Sequence, residues 1–174
     1  VRREIGIRNI FNVLGPLTNP ANASLQITGV YSESLVEPIA RVFANLGVKR
    51  GFVFHGNDGM DEVTVTGATK VCEINGGNFK TYDITPEQFG LGIYEMQELI
   101  GGDGTENAEI TKKILNGELK GAKRDITVLN AALGLYAGGK AESINDGVKL
   151  AQEIISSGKA YEKLIQFAMA TNNV

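Results

Sequence analysis

The stretch His55-Gly56-Asn57-Asp58-Gly59-Met60-Asp61-Glu62 holds the only histidine of the chain and three carboxylates within eight residues. It follows directly on the apolar run Gly51-Phe52-Val53-Phe54, which reads as a buried strand. In open parallel sheets, ligands gather beyond the carboxyl ends of the strands. Magnesium takes oxygen ligands, often one or two carboxylates completed by substrate phosphates. Adjacent Asp61 and Glu62 suit that role if the loop bends both inward. By composition alone the loop reads first as an Asp58-Gly59 turn with its other acids solvated. His55 has the chemistry of a general base, but no nucleophile motif stands beside it, and it reads as a structural residue at a strand end. Cys72, between Val71 and Glu73, reads as a packing residue in a strand.

A second group is Arg2, Arg3 and Arg8, ahead of Asn12 and the segment Leu14-Gly15-Pro16-Leu17-Thr18-Asn19-Pro20. Arginine offers a planar fork that matches a carboxylate, and glycine lets a flat ligand approach the backbone closely. Spacing alone leaves these arginines as solvated charges. Ile100-Gly101-Gly102-Asp103-Gly104-Thr105 superficially resembles a phosphate-cradling loop. It lacks the Lys and spacing of a P-loop, and a turn with a helix cap is the simpler reading.

These residues need a scaffold, and 174 residues with 43% hydrophobic and 21% charged content suffice for one α/β domain with a core. A net charge of −3 with no dense Lys/Arg tract points away from nucleic acid and anionic membranes and toward a small-molecule ligand. The single cysteine cannot form an internal disulfide, which suits a reducing, cytoplasmic setting. No apolar run reaches the length of a membrane-spanning helix. Val1-Arg2-Arg3-Glu4 lacks an initiator Met and a signal-peptide core, so the chain reads as a fragment of something longer.

Residues 5–20, rich in Gly, Asn and Pro, fit no periodic template. Residues 26–31 read as a strand. An amphipathic helix follows over about 33–46, with Leu35, Ile39, Val42 and Leu46 on one face. Pro38 is tolerated only near its first turn, so the true start falls a residue or two beyond Glu33, and Gly47 supplies the C-cap. With the strand at 51–54 this makes a right-handed βαβ unit with parallel strands. From Glu62 to Ile84 β-branched residues dominate, and Asn75-Gly76-Gly77-Asn78 separates two runs, which signals an antiparallel hairpin. Helices are expected at about 106–116, 124–137, 144–156 and 159–171, with Ser143 and Asp146 capping the third. The helix over 124–137 is apolar on most sides and belongs in the interior.

Taken together, several of these segments resemble anthranilate phosphoribosyltransferases: residues 2–12, Leu14 to Pro20, His55-Gly56, Asp58 to Glu62, Pro86 to Leu91, Gly101-Gly102, Asn107-Ala108, Arg124-Asp125 and Leu129-Asn130-Ala131-Ala132. Their order along nearly the whole chain is far more specific than any one motif. The resemblance implies an α/β fold with a mixed, mainly parallel sheet flanked by helices, like the large domain of nucleoside phosphorylase and phosphoribosyltransferase-type enzymes. Residues 1–174 would form that single α/β domain, and a helical N-terminal part would build a homodimer. It implies transfer of phosphoribosyl from phosphoribosyl pyrophosphate (PRPP) to anthranilate with the help of Mg2+, and no nucleic-acid or membrane partner. By position, Arg2 looks like the anthranilate-contacting arginine, Gly15 and Pro16 like part of the anthranilate channel, and Asp61-Glu62 like the acidic pair holding magnesium on PRPP. Met60, where the family commonly has Leu, is a mild departure. The family's glycine-rich PRPP loop lies in the N-terminal half, so this chain alone is expected to be inactive, and no residue is assigned as catalytic.

Pyrimidine nucleoside phosphorylases resemble this family in fold but do not share the Asn12 to Pro20 stretch. A nucleic-acid-binding relative without catalytic activity would call for a basic surface. A purely structural domain is the remaining alternative.

Overall fold

The computed structural model describes residues 15–18 and 20–172. Strand β1 (Leu25–Gly29), helix α1 (Val36–Asn45) and strand β2 (Arg50–Gly56) form the expected βαβ unit, with β1 parallel to β2. A single 3-10 turn, Glu33–Leu35, precedes α1, so Pro38 falls in the first turn of the α-helix, where its missing N–H does no harm. Gly47 stops the helix with a φ of 94°, its N–H bonded to the Ala44 carbonyl at 3.0 Å. That left-handed backbone is why a glycine stands there.

Strands β3 (Thr69–Asn75) and β4 (Asn78–Ile84) make the hairpin, turning through Gly76 and Gly77 at φ values of 58° and 85°. Two successive positive φ angles match the twist of the flanking strands, and glycine adopts them without strain. The sheet runs β1-β2-β3-β4. It is mixed, as expected, but its parallel share among the described residues is the β1–β2 pair, while β2–β3 and β3–β4 are antiparallel. A two-residue turn can only return an antiparallel strand, because parallel pairing needs a long crossover. The β-branched run Val63-Thr64-Val65 is not a strand; it is a buried loop leading into β3.

Side chains alternate across the sheet, and both faces are covered. Phe52, Phe54 and Val71 point into one core, against Val128, Leu129, Ala132 and Leu133 of helix α3 (Ala122–Ala137) and Val148, Ala151 and Ile155 of α4 (Ile144–Ser156). Val53, Cys72 and Ile74 point into the other, against Ile39, Ala40 and Phe43 of α1. Burial on both faces explains why β2 reads as an uninterrupted apolar run. Cys72 is the packing residue the sequence suggested.

Helix α2 (Gly104–Leu115) starts at the glycine-rich stretch that loosely resembles a phosphate loop. Here it is a cap: Asp103 Oδ1 accepts from the N–H groups of Thr105 and Glu106 at 2.8 and 2.9 Å, and Glu106 Oε2 accepts from the Asp103 N–H at 3.1 Å. Ser143 caps α4 by accepting the Asp146 N–H at 3.1 Å, as its spacing implies. Helix α5 (Lys159–Asn172) lies outermost, packed on α2 and α4. Short 3-10 turns at Pro86–Phe89 and Met96–Leu99 were not legible in the sequence. Among the described residues, no helix is long and apolar enough to cross a membrane.

Candidate functional site

Strand β2 ends at Gly56, and the loop that follows is held by its own side chains. Gly59, at φ 93°, turns the chain so that its N–H reaches the Gly56 carbonyl and the Gly56 N–H reaches the Met60 carbonyl, both at 2.9 Å. Asp58 closes the turn. Its Oδ1 accepts from the Met60 N–H at 3.0 Å, and its Oδ2 accepts from the hydroxyls of Thr64 and, at 2.6 Å, Thr66. Burial alone would raise the Asp58 pKa, but these donors outweigh it and hold the carboxyl below its ordinary value. Asp58 is therefore a satisfied structural anion. This agrees with the turn reading of Asp58-Gly59.

Asp61 and Glu62 differ from it. Both are exposed, and among the described residues neither carboxylate has a hydrogen bond or a cationic partner. Partial desolvation, and then the adjacent Asp61 charge, raise the Glu62 pKa. A divalent cation between the two carboxylates would relieve that repulsion, so the donor set fits magnesium. Among the described residues, no group of three or more His, Cys, Asp or Glu converges as a metal cage. Two carboxylates completed by phosphate oxygens are the arrangement magnesium favours.

The pair is fixed from both sides. An added Cβ at Gly29, the last residue of β1, would lie 1.6 Å from the Asp61 carbonyl oxygen, so only glycine permits this approach. Next to the pair, Val63 gives its N–H to Asn130 Oδ1 at 3.0 Å and receives Asn130 Nδ2 on its carbonyl at 2.7 Å. Val63 and Val65 are fully buried, and the Val65 carbonyl accepts the Tyr94 N–H at 3.0 Å. His55 Nδ1 lies 2.7 Å from the Val30 carbonyl. A carbonyl only accepts, so Nδ1 carries the proton, and through this bond His55 ties the ends of β1 and β2 together.

Pro16 lines one cleft with Gly29, Tyr31, Leu35 and Asp61, which brings it to the first residue of the acidic pair. Gly15 itself is exposed, and its carbonyl accepts from Thr18. Arg2, Arg3, Arg8 and Asn12 lie outside the described residues. Sequence reasoning missed Gly29, the Thr64 and Thr66 hydroxyls and the part played by Asn130. For Asn130 a signal existed, as a polar residue in the apolar helix 124–137.

The raised Glu62 pKa carries a stability consequence. The folded chain holds that proton more tightly than the unfolded one, so ionised Glu62 opposes folding above its raised pKa. Below the ordinary carboxyl value of 4.5 both states are protonated and the effect vanishes. Glu62→Gln should therefore melt above wild type at neutral pH, with the gap closing as pH falls toward that value. Thermal unfolding across pH checks this, and a gap that is absent at neutral pH would contradict it.

The model of the glycosyl transferase family a/b domain matches residues 1–161, and the chain belongs to that family. It is similar to the anthranilate phosphoribosyltransferase of Methanobrevibacter smithii, 53% identical over 99% of this chain and 51% of that protein. Among solved structures it is similar to the Thermus thermophilus anthranilate phosphoribosyltransferase, with a TM-score of 0.87 and 42% identity over 95% of this chain and 49% of that one. It is also similar to the Saccharomyces cerevisiae enzyme solved in complex with PRPP and Mg, with a TM-score of 0.85 and 31% identity over 99% of this chain and 50% of that one. The chain spans about half the length of the relatives it matches.

Proposed function

We propose that this chain is the α/β part of an anthranilate phosphoribosyltransferase, which joins anthranilate to PRPP in tryptophan biosynthesis and releases pyrophosphate. The observation that carries the reading is the unpaired Asp61-Glu62 dipeptide, held on an anchored loop at the end of β2, in a chain 53% identical to a relative of that name. Residues 1–174 form one α/β domain of a longer, two-domain enzyme, homodimeric through its helical domain. It works in the cytoplasm, in keeping with a single, buried cysteine.

In this reaction the bond from the ribose anomeric carbon to pyrophosphate breaks, and a bond from that carbon to the anthranilate nitrogen forms. The amine gives up its proton to solvent or to the departing pyrophosphate. An aniline nitrogen is already a usable nucleophile, so the protein's task is orientation and charge neutralisation. Bound magnesium would neutralise charge on the pyrophosphate as it leaves. Asp61 and Glu62 would hold that ion, Arg2 would take the anthranilate carboxylate in its fork, and Gly15 and Pro16 would line the path of the ring. The cleft that Pro16 and Asp61 both line is in keeping with the role of Pro16.

The test is magnesium-dependent formation of phosphoribosyl anthranilate by the complete enzyme, with the 174-residue chain alone inactive. In the complete enzyme, Arg2→Ala should lower kcat/KM for anthranilate by about ten- to a hundredfold, the cost of losing a hydrogen bond to a charged group, with PRPP use changed less. Turnover by the pure chain, or unchanged anthranilate kinetics in Arg2→Ala, would count against the respective part of the reading.

A further inference from the structure

We propose that Asn130 is a positioning residue for the Asp61-Glu62 pair, setting the backbone from which the two carboxylates reach a magnesium ion. The proposal rests on the reading of that pair as the metal-holding site. Asn130 sits in the middle of α3, between Leu129 and Ala131, on a helix whose Val128, Leu129, Ala132 and Leu133 are fully buried. Its amide makes three bonds: Oδ1 accepts the Val63 N–H at 3.0 Å, and Nδ2 donates to the Val63 carbonyl at 2.7 Å and to the Ile126 carbonyl at 2.9 Å.

The Val63 N–H belongs to the peptide that links Glu62 to Val63, so holding it restrains the backbone from which the Glu62 side chain leaves. The Val63 carbonyl is held by the same amide, which removes the next freedom. A segment fully buried at Val63 would otherwise leave both backbone groups without partners. Only a carboxamide of this length offers one acceptor and two donors in that geometry: aspartate lacks the donors and leucine lacks both. On the far side, the glycine at position 29 lets the Asp61 carbonyl approach β1, and Asp58 clasps the loop through Thr64 and Thr66. The dipeptide is thus gripped between the sheet and α3, and among the described residues neither carboxylate has a partner. Groups that orient metal ligands through hydrogen bonds typically change metal affinity by about 10–100-fold when removed.

The test compares Asn130→Ala with Val128→Ala in the complete enzyme. Val128 lies on the same helix in the same core, but it makes no hydrogen bond to the loop. Both should lower the melting temperature. Asn130→Ala should also raise the magnesium concentration for half-maximal rate at saturating PRPP by about tenfold or more, with KM for anthranilate unchanged, while Val128→Ala keeps the wild-type magnesium response. If Asn130→Ala folds poorly, Asn130→Asp serves instead. It keeps the acceptor, and any added negative charge would tighten magnesium binding, so a weakened response can come only from lost positioning. An Asn130 variant that loses stability like Val128→Ala but keeps wild-type magnesium half-saturation overturns the proposal. Its failure is distinguishable from failure of the underlying reading. If removing the Asp61 and Glu62 charges abolishes the magnesium response and Asn130→Ala leaves it intact, the positioning role alone falls. If removing the charges changes nothing, the metal site falls and the positioning role with it.

Discussion

Gly29→Ala should cripple both the fold around the site and its activity. The added methyl would lie 1.6 Å from the Asp61 carbonyl oxygen and 2.4 Å from its carbonyl carbon, well inside any tolerated contact. Neither side can yield cheaply. Gly29 pairs with Phe54 in the parallel ladder, and Phe54 is buried in the main core. The acidic loop is fixed by Asn130 at Val63 and by the Asp58 clasp. Forcing in one methyl group typically costs about 1–3 kcal/mol in a packed setting, and here the relief must come from moving Asp61. We therefore expect a clear fall in melting temperature together with a rise of about tenfold or more in the magnesium needed for half-maximal rate, the size seen when metal ligands lose their support. Unfolding curves and a magnesium titration on the complete enzyme measure both. A variant with wild-type values for each would show that the strand and the loop are not coupled.

Most of the scaffold was legible because its periodicities are local. The helices at 124–137 and 144–156 carry apolar spacing and caps, and both appear within two residues of the expected bounds. Pro38 pointed to a start of α1 inward of Glu33, and the α-helix begins at Val36, one residue beyond the expected range, after a 3-10 turn; Asn75 to Asn78 correctly announced the hairpin. The run Val63-Thr64-Val65 misled, because β-branched residues report burial as much as strand geometry. Its backbone groups are satisfied by Asn130, Thr69 and Tyr94 instead of a ladder. The mixed sheet follows the expectation, and among the described residues its parallel pairing is the β1–β2 pair, because the strands beyond β2 return through a loop and a tight turn.

The site was only half legible. Asp61 and Glu62 stand out by charge and by their place after a strand. What separates them from Asp58, three residues earlier, is partnership. Asp58 takes donors from Thr64, Thr66 and Met60, and the adjacent pair takes none among the described residues. That distinction depends on contacts between residues 58 and 66 and between 63 and 130, and no local spacing encodes them.

The largest kinetic effect is expected from changing Asp61→Asn and Glu62→Gln together in the complete enzyme. The substitutions keep side-chain size and remove two negative charges from exposed positions, one of which, Glu62, has its pKa raised by desolvation and by its neighbour. The fold should survive, with a melting temperature at or above wild type at neutral pH. Turnover should not survive in the same way. Magnesium stabilises developing charge on a leaving group by several kcal/mol, and each 1.4 kcal/mol or so is a factor of about ten in rate, so a loss of about a hundredfold or more is expected. Stability and activity would then separate, which a merely destabilised enzyme does not show. The most direct measurement is the steady-state rate of phosphoribosyl anthranilate formation against magnesium concentration at saturating PRPP, for wild type and the double variant. The account predicts a saturable magnesium response in wild type, and in the variant a response that is shifted to much higher concentration or lost. A double variant with the wild-type magnesium curve would contradict it and leave Asp61-Glu62 as a solvated turn.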